Sequence, residues 1–184
     1  MRGGDKLLET VEGQPLLRRQ AIAATATGCA VVVTLPPGAS ARRACLEDVP
    51  VALLDVPDHA EGMAASLRRA AALLVAGQAM AVLLPDVPGI TAGDVIDVLE
   101  RFRSLGGERV VRGGSASSDS PGTPLFLPHR VALRFLDLKG DDGGRQAIAG
   151  EALEIIRFAD DRAVRDLDTP EDWAAWRAET GIAE

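Results

Sequence analysis

The chain has 184 residues, of which 47% are hydrophobic and 26% charged, enough apolar material for the core of one globular domain. Its 20 basic and 27 acidic residues give a formal net charge of −7. This balance excludes an extended duplex-binding surface, which needs clustered Lys and Arg, and we expect no nucleic-acid partner. No segment approaches the roughly 20 apolar residues of a membrane span, so we expect no membrane partner and a cytoplasmic location.

Strand-like and helix-like segments alternate along the chain. Continuous apolar or β-branched runs predict strands at residues 30–35, 49–56, 79–84, 108–112, 124–127 and 153–158. Helical patterns occupy residues 15–27, 41–46, 63–76, 91–107, 129–138, a stretch after the turn at 140–145, and a last segment from residue 170. The Gly/Ser-rich segment 113–124 is predicted to be a mobile loop.

This alternation determines the predicted fold class. Strands separated by helices of 10–15 residues indicate βαβ units and a mostly parallel sheet. We therefore predict a three-layer α/β sandwich of Rossmann-like type. Ligands of such sheets bind at the carboxyl ends of the strands, so the loops that follow strands are where chemistry is sought.

The first such loop lies in LLPDVPGIT, residues 83–91, where Asp86 directly follows a buried strand. A carboxylate at a strand end is well placed to bind Mg²⁺, a cation that takes oxygen ligands and substrate phosphates together. The alternative is that Asp86 only forms a turn between Pro85 and Pro88. Taken alone, the two interpretations are about equally supported.

The second loop lies in RDLDTPEDW, residues 165–173. Thr169 followed by Pro170 and two acidic residues is a helix start whatever the function of the protein. Asp166 and Asp168 precede that cap. Asp168 could supply a second carboxylate to a metal ion.

The third loop precedes the helix that begins near residue 63. Gly62 follows a strand and a loop, and Ser66 lies in the first turn of the helix. A glycine backbone and a hydroxyl at this place would allow a ligand to approach closely. The alternative is that Ser66 is an ordinary polar residue of the helix surface.

The chain opens with MRGGDKLLETVEGQPLL, in which Gly3 and Gly4 precede Lys6. Further motifs follow in order: GMAASL at 62–67, LLPDVP at 83–88, PGTPLF at 121–126, GDDGGR at 140–145 and DLDTPEDW at 166–173. Over the full chain this series resembles the molybdenum cofactor cytidylyltransferases and the MobA-like NTP transferase group, whose fold is of the nucleotide-diphospho-sugar transferase type. Thr123 stands where that family commonly has His, and Gly144 where it has Ala.

The resemblance implies transfer of a nucleoside monophosphate from CTP or GTP to a phosphorylated acceptor such as molybdopterin, with pyrophosphate released. It implies a Mg²⁺ ion bound by Asp86 and Asp168, and Lys6 on the phosphates, these three being the expected catalytic residues. Molybdoenzymes or their maturation factors are candidate partners. A sugar- or polyol-phosphate acceptor, or nucleotide binding without catalysis, are the alternatives.

The remaining site residues are also implied by the resemblance. Gly3 and Gly4 would let the backbone approach the phosphates, Gly62 and Ser66 would contact the base or ribose, and Gly122 with Pro124 would contact the acceptor.

The resemblance also implies that the strand before the Gly-rich loop lies upstream of Met1. We therefore expect residues 1–184 to form a single, N-terminally incomplete nucleotidyltransferase domain. The strands at 30–35 and 79–84 would then flank a gap or close up around it. Under this expectation the chain is poorly soluble or inactive alone, and about 15–25 upstream residues restore activity.

Overall fold

The structure is a computed structural model that describes residues 4–118, 120–140 and 144–182. Its strands are β1 (Thr10–Val11), β2 (Gln14–Pro15), β3 (Val32–Leu35), β4 (Ala52–Asp55), β5 (Met80–Val82), β6 (Val110–Ser115), β7 (Pro121–Leu127) and β8 (Leu153–Phe158). Its α-helices are α1 (Leu16–Thr25), α2 (Ser40–Ala44), α3 (Met63–Ala71), α4 (Ala92–Ser104), α5 (His129–Ala132) and α6 (Pro170–Thr180). Single 3₁₀ turns lie at Lys6–Leu8, His59–Glu61 and Leu133–Asp137.

The main sheet has four strands in the order β5-β7-β6-β8. β6 and β8 are parallel, whereas β7 runs antiparallel to both of its neighbours, β5 and β6. The α/β class is confirmed, and the sheet is mixed, with three of its four strands pointing in one direction. The physical reason is the short connection from Ser115 to Pro121, which has no room for a crossover helix and therefore forms a hairpin.

Helices cover both faces of this sheet, as a three-layer sandwich requires. Alternate residues of β6 and β7 point to opposite faces: Val110 and Leu127 pack against α3, α5 and the turn around Phe135, whereas Val111 and Phe126 pack against α4. The sheet is thus buried between two apolar layers. None of the helices in the described ranges combines the length and apolar composition needed to cross a lipid bilayer.

The strands β3 and β4 form a separate parallel pair. A cleft of about 480 Å³ lies between β3 and β5 and is lined by both strands together with residues of α1 and α4. Besides the short antiparallel pair of β1 and β2, the described residues therefore form two sheets where the alternation of strands and helices suggests one.

Three local predictions were wrong. Segment 113–124 is a pair of β-strand ends joined by a short turn, because β6 pairs with β7 and with β8 through its Gly and Ser residues. The stretch after residue 144 forms successive turns, and the helix predicted at 129–138 is a short α-helix followed by a 3₁₀ turn. In the first case tertiary pairing overrides local propensity.

Candidate functional site

The site is centred on the ammonium group of Lys6, which lies between two carboxylates. Lys6 Nζ is 2.8 Å from Asp86 Oδ2 and 2.5 Å from Asp168 Oδ1. The three residues predicted to be catalytic are therefore brought together, although Asp86 and Asp168 lie 80 and 162 residues from Lys6 in sequence. The Lys6 and Asp86 side chains are partly buried, whereas Asp168 is exposed.

A backbone hydrogen bond joins the two loops that carry the carboxylates. The N–H of Leu167 donates to the carbonyl oxygen of Asp86 at 3.3 Å. The Leu167 side chain is buried with Trp173 and Trp176 of α6. The loop before α6 is therefore held against the loop that follows β5, and this contact sets the separation of the two carboxylates.

The position of Lys6 is fixed by its neighbour Asp5. The Asp5 carboxylate accepts a hydrogen bond from the Leu7 N–H at 3.1 Å, which caps the 3₁₀ turn. Arg42 donates to both oxygens of the same carboxylate, at 2.7 and 3.0 Å. The hydrogen bond from Arg42 lowers the pKa of Asp5, although burial opposes the shift. Sequence reasoning missed Arg42, because nothing local links α2 to residue 5.

The two neighbouring carboxylates keep the ammonium group of Lys6 protonated. Burial works to lower the pKa of Lys6, but the hydrogen bonds to Asp168 and Asp86 outweigh it, so that the pKa lies above its usual value. Lys6 is therefore a cation throughout the neutral pH range. It supplies a fixed positive charge and three N–H donors at this end of the sheet.

A third carboxylate belongs to the same cluster. Single side-chain oxygens of Asp86, Asp166 and Asp168 all lie within 4.8 Å of one another. Asp166 and Asp168 flank the buried Leu167 in an extended segment, where alternate side chains point the same way, so both reach the exposed side. Asp166 was not among the predicted ligands. The Asp-Leu-Asp spacing is the sequence feature that could have identified it, because residues two apart in an extended segment share a face.

The other predicted nucleotide-binding residues remain predictions. Gly62 has a φ of 91° and begins α3, a conformation that glycine adopts without strain, and Ser66 is half-buried one turn further on. Gly4 is exposed directly before Asp5. Gly3 lies outside the described residues.

The two predicted acceptor contacts occupy packed positions. A Cβ atom added to Gly122 would lie 2.0 Å from the Ala163 carbonyl oxygen, and the Gly122 carbonyl accepts two hydrogen bonds from Arg112. Pro124 is buried in β7 and lines the cleft between β3 and β5. Both residues thus have structural roles, and contact with an acceptor stays a prediction.

The two departures from the family pattern also have local reasons. The Thr123 hydroxyl accepts a hydrogen bond from the Leu84 N–H at 3.1 Å and so ties β7 to the strand that leads to Asp86. Gly144 has a φ of 83°, and a Cβ atom there would lie 2.7 Å from the Phe135 ring. In this chain an alanine at position 144 would therefore clash with the core.

Several solved structures are similar to this chain. Rv0371c from Mycobacterium tuberculosis H37Rv superposes with a TM-score of 0.77 at 23% identity, over 95% of this chain and 89% of that one. A structure of Rv0371c in complex with manganese gives 0.72 at 21% identity, over 92% and 89%. The Rv0371c homologue from Mycobacterium sp. strain JC1 gives 0.73 at 27% identity, over 96% and 88%.

A more distant neighbour is CMP:2-keto-3-deoxy-manno-octonic acid synthetase complexed with CTP, with a TM-score of 0.65 at 13% identity over 96% of this chain and 91% of that one. At this identity the likeness shows the fold alone.

No curated protein matches the chain. The MobA-like NTP transferase domain matches residues 1–156, which include Lys6 and Asp86. The chain therefore belongs to the MobA-like NTP transferase family.

Proposed function

We propose that this chain transfers a nucleoside monophosphate from CTP or GTP to molybdopterin, or to another phosphorylated acceptor, and releases pyrophosphate. Membership of the MobA-like NTP transferase family supports nucleotidyl transfer. The observation that carries the proposal is the cluster of Lys6 with Asp86 and Asp168 at the carboxyl end of β5. A cation and several carboxylates at a strand end provide what a triphosphate and its counter-ion need.

The donor set fits a divalent cation. Three carboxylates and one ammonium leave a net charge of −2, and all the ligand atoms offered are oxygens. We propose that Mg²⁺ is held by Asp86 and Asp168 together with Asp166, and the manganese complex of Rv0371c supports a divalent ion in this fold. When bound, the ion would neutralise phosphate charge and lower the repulsion between the acceptor and the triphosphate.

The chain's own residues would position the two substrates. Lys6, kept protonated by its carboxylate neighbours, would donate hydrogen bonds to phosphate oxygens and stabilise the negative charge on the leaving pyrophosphate. Exposed backbone at Gly4 would leave room for the phosphates beside it. Gly62 and Ser66 would contact the base or ribose. No covalent intermediate is required, because positioning and charge neutralisation supply the catalysis.

An assay of pyrophosphate release with CTP and GTP tests the proposal, run against molybdopterin and a panel of sugar and polyol phosphates. The assay is run on the chain as given and on one extended by about 15–25 upstream residues, and we expect the extended chain to turn over one nucleotide with molybdopterin. Turnover with a sugar or polyol phosphate, and none with molybdopterin, would change the proposed acceptor but leave the proposed reaction standing. Calorimetry that detects nucleotide binding without pyrophosphate release under any condition would overturn catalysis in favour of a binding role.

Substitutions at two adjacent residues separate a metal role from a helix-start role. Asp168→Asn should raise the Mg²⁺ concentration for half-maximal activity by about tenfold, since the site loses one negative ligand. Thr169→Ala should leave the metal requirement unchanged and lower the free energy of unfolding by roughly 1 kcal/mol, because Thr169 caps α6 through the Asp172 N–H. If Asp168→Asn changes only the melting temperature, Asp168 belongs to the helix start and not to a metal site.

A further inference from the structure

Arg112 places a positive charge within the main sheet. It belongs to β6 and lies opposite Leu125 of β7, so the two side chains share one face of the sheet. The Arg112 guanidinium is half-buried, and its Nε and Nη2 donate to the Gly122 carbonyl oxygen at 2.8 and 2.6 Å. Both hydrogen bonds end on a neutral acceptor, so they leave the positive charge of Arg112 uncompensated.

This arrangement differs from that of most arginines in the chain. Most arginines in the described ranges form an ion pair with an aspartate or a glutamate. Within those ranges Arg112 has no carboxylate oxygen at ion-pair distance, and the same holds for three exposed arginines, Arg103, Arg109 and Arg145. Water screens an exposed guanidinium, whereas a half-buried one costs free energy until an anion lies beside it.

A second guanidinium lies near Arg112. Gly144 packs against the ring of Phe135, which belongs to the same apolar cluster as Leu125, and this contact places the next residue, Arg145, at the same face of the sheet. Burial lowers the pKa of Arg112, and the positive charge of Arg145 adds to the shift. The two like charges repel each other, and an anion bound between them would offset that repulsion.

Arg112 also lies close to the candidate site. β5 and β6 are both antiparallel to β7, which lies between them, so their carboxyl ends point to the same edge of the sheet. Thr123, the residue after the carbonyl that Arg112 contacts, accepts a hydrogen bond from the Leu84 N–H, two positions before Asp86. A single strand therefore separates Arg112 from the segment that leads to Asp86, and neighbouring strands lie about 4.8 Å apart. A ligand at Arg112 and one at the Asp86 cluster would lie side by side.

We propose that Arg112, with Arg145 beside it, binds the phosphate group of the acceptor. Arginine binds phosphate through two parallel hydrogen bonds. Nη1 of Arg112 and the second hydrogen of Nη2 have no partner within the described residues and supply such a pair. The anion site stands on the contacts of Arg112 alone, whereas the assignment of its phosphate to the acceptor rests on the proposed function.

The probe for this site is glycerol 3-phosphate, a simple phosphate monoester, titrated without nucleotide into the isotope-labelled chain. NMR follows the Nε–H signals of the arginine side chains. We expect the Arg112 signal to shift and saturate, because a bound phosphate changes the hydrogen bonding of the guanidinium, and the Arg103 signal to stay in place. Glycerol should shift neither signal. Saturating CTP with Mg²⁺ should not displace glycerol 3-phosphate, because the triphosphate is expected at Lys6.

Substitutions at Arg112 separate phosphate binding from packing. Arg112→Gln should weaken glycerol 3-phosphate binding at least tenfold, and Arg112→Lys, which keeps the charge without the paired donors, should have an intermediate effect. Arg103→Gln, the same change at an exposed arginine of α4, is the matched control and should bind like the unaltered chain. In the pyrophosphate assay, Arg112→Gln should raise the Michaelis constant for the acceptor at least tenfold and leave that for the nucleotide unchanged.

Three results would overturn the proposal. The absence of a saturable shift at Arg112 in the unaltered chain would exclude the anion site, even if the variants fail to fold. Unchanged binding by Arg112→Gln with a lower melting temperature would leave Arg112 as a packing partner of Gly122. Displacement of glycerol 3-phosphate by CTP would assign Arg112 to the triphosphate.

A fourth result separates this proposal from the proposed reaction. Binding of glycerol 3-phosphate at Arg112, together with no pyrophosphate release under any condition, would confirm the anion site. It would overturn the assignment of that site to an acceptor along with the reaction itself.

Discussion

Replacing Asp86 with Asn should lower nucleotidyl transfer by about 100-fold or more and leave the melting temperature almost unchanged. The substitution keeps the size of the side chain but removes a negative charge from the oxygen cluster of Asp86, Asp166 and Asp168. A metal ligand of this kind supplies several kcal/mol of charge stabilisation, and a hundredfold loss corresponds to about 2.7 kcal/mol. The fold should tolerate the change, because Asp86 is partly exposed and Lys6 keeps its contact with Asp168.

Asp97→Asn is the control for this experiment. Asp97 is an exposed carboxylate on α4, and its loss changes the net charge by the same amount. Pyrophosphate release should be the same in this variant as in the unaltered chain. Activity of the Asp86 variant above about a tenth of that level, with an unchanged melting curve, would exclude Asp86 as a metal ligand, because a lost ligand costs far more.

Gly122→Ala should lower the free energy of unfolding by about 3 kcal/mol or more. The new methyl carbon would lie 2.0 Å from the Ala163 carbonyl oxygen and 2.8 Å from a methyl group of Val164. The first of these atoms is backbone, and the Thr123 N–H donates to the same carbonyl at 2.9 Å, so it cannot move away freely. Insertion of a methyl group into packing this tight costs 1–3 kcal/mol or more.

Gly93→Ala is the matched control, since it is the same chemical change in a helix. A Cβ atom at Gly93 would meet only the Thr91 hydroxyl, at 3.7 Å. Lower conformational freedom of the unfolded chain should then stabilise the protein by roughly 0.5 kcal/mol. Denaturant unfolding measures both variants, and equal effects of the two substitutions would contradict the clash at Gly122.

The Gly122 variant also tests the predicted acceptor role of that residue. If Gly122 only packs against Ala163, transfer measured well below the melting temperature should keep its Michaelis constant for the acceptor. A selective rise in that constant would instead place the acceptor against this part of β7.

Much of the local structure could be predicted from the sequence, because its causes are local. The capping residues Thr91 and Thr169 begin α4 and α6 through reciprocal hydrogen bonds with residues three positions on. The placement of Asp86 after a strand and of Asp168 before a helix cap required only periodicity and turn chemistry. The motif series that resembles the MobA-like family is likewise read directly from residue order, and the family is confirmed.

Other features were decided by contacts between distant segments. β7 runs antiparallel because it follows β6 in a hairpin, and the pairing of β6 with β7 and β8 extends strands through a Gly/Ser-rich segment that local propensity assigns to a loop. Arg42 reaches Asp5 from α2, and no periodic pattern relates these two residues. The sequence left two arrangements open for β3 and β5, a gap between them or closure around it, and the structure has the gap.

The sequence by itself thus determined the alternation of elements, the helix starts and the family, and it predicted the residues that we propose for the chemistry. Only the tertiary structure decided that Lys6 lies between Asp86 and Asp168, that Asp166 completes an oxygen cluster, and that two strand edges face one cleft. The physical reason is range: hydrogen bonds within a helix or a turn join residues a few positions apart, whereas the site depends on ion pairs across 80 and 162 residues. Contacts between residues so far apart in sequence depend on how whole helices and strands pack, and not on the residues between them.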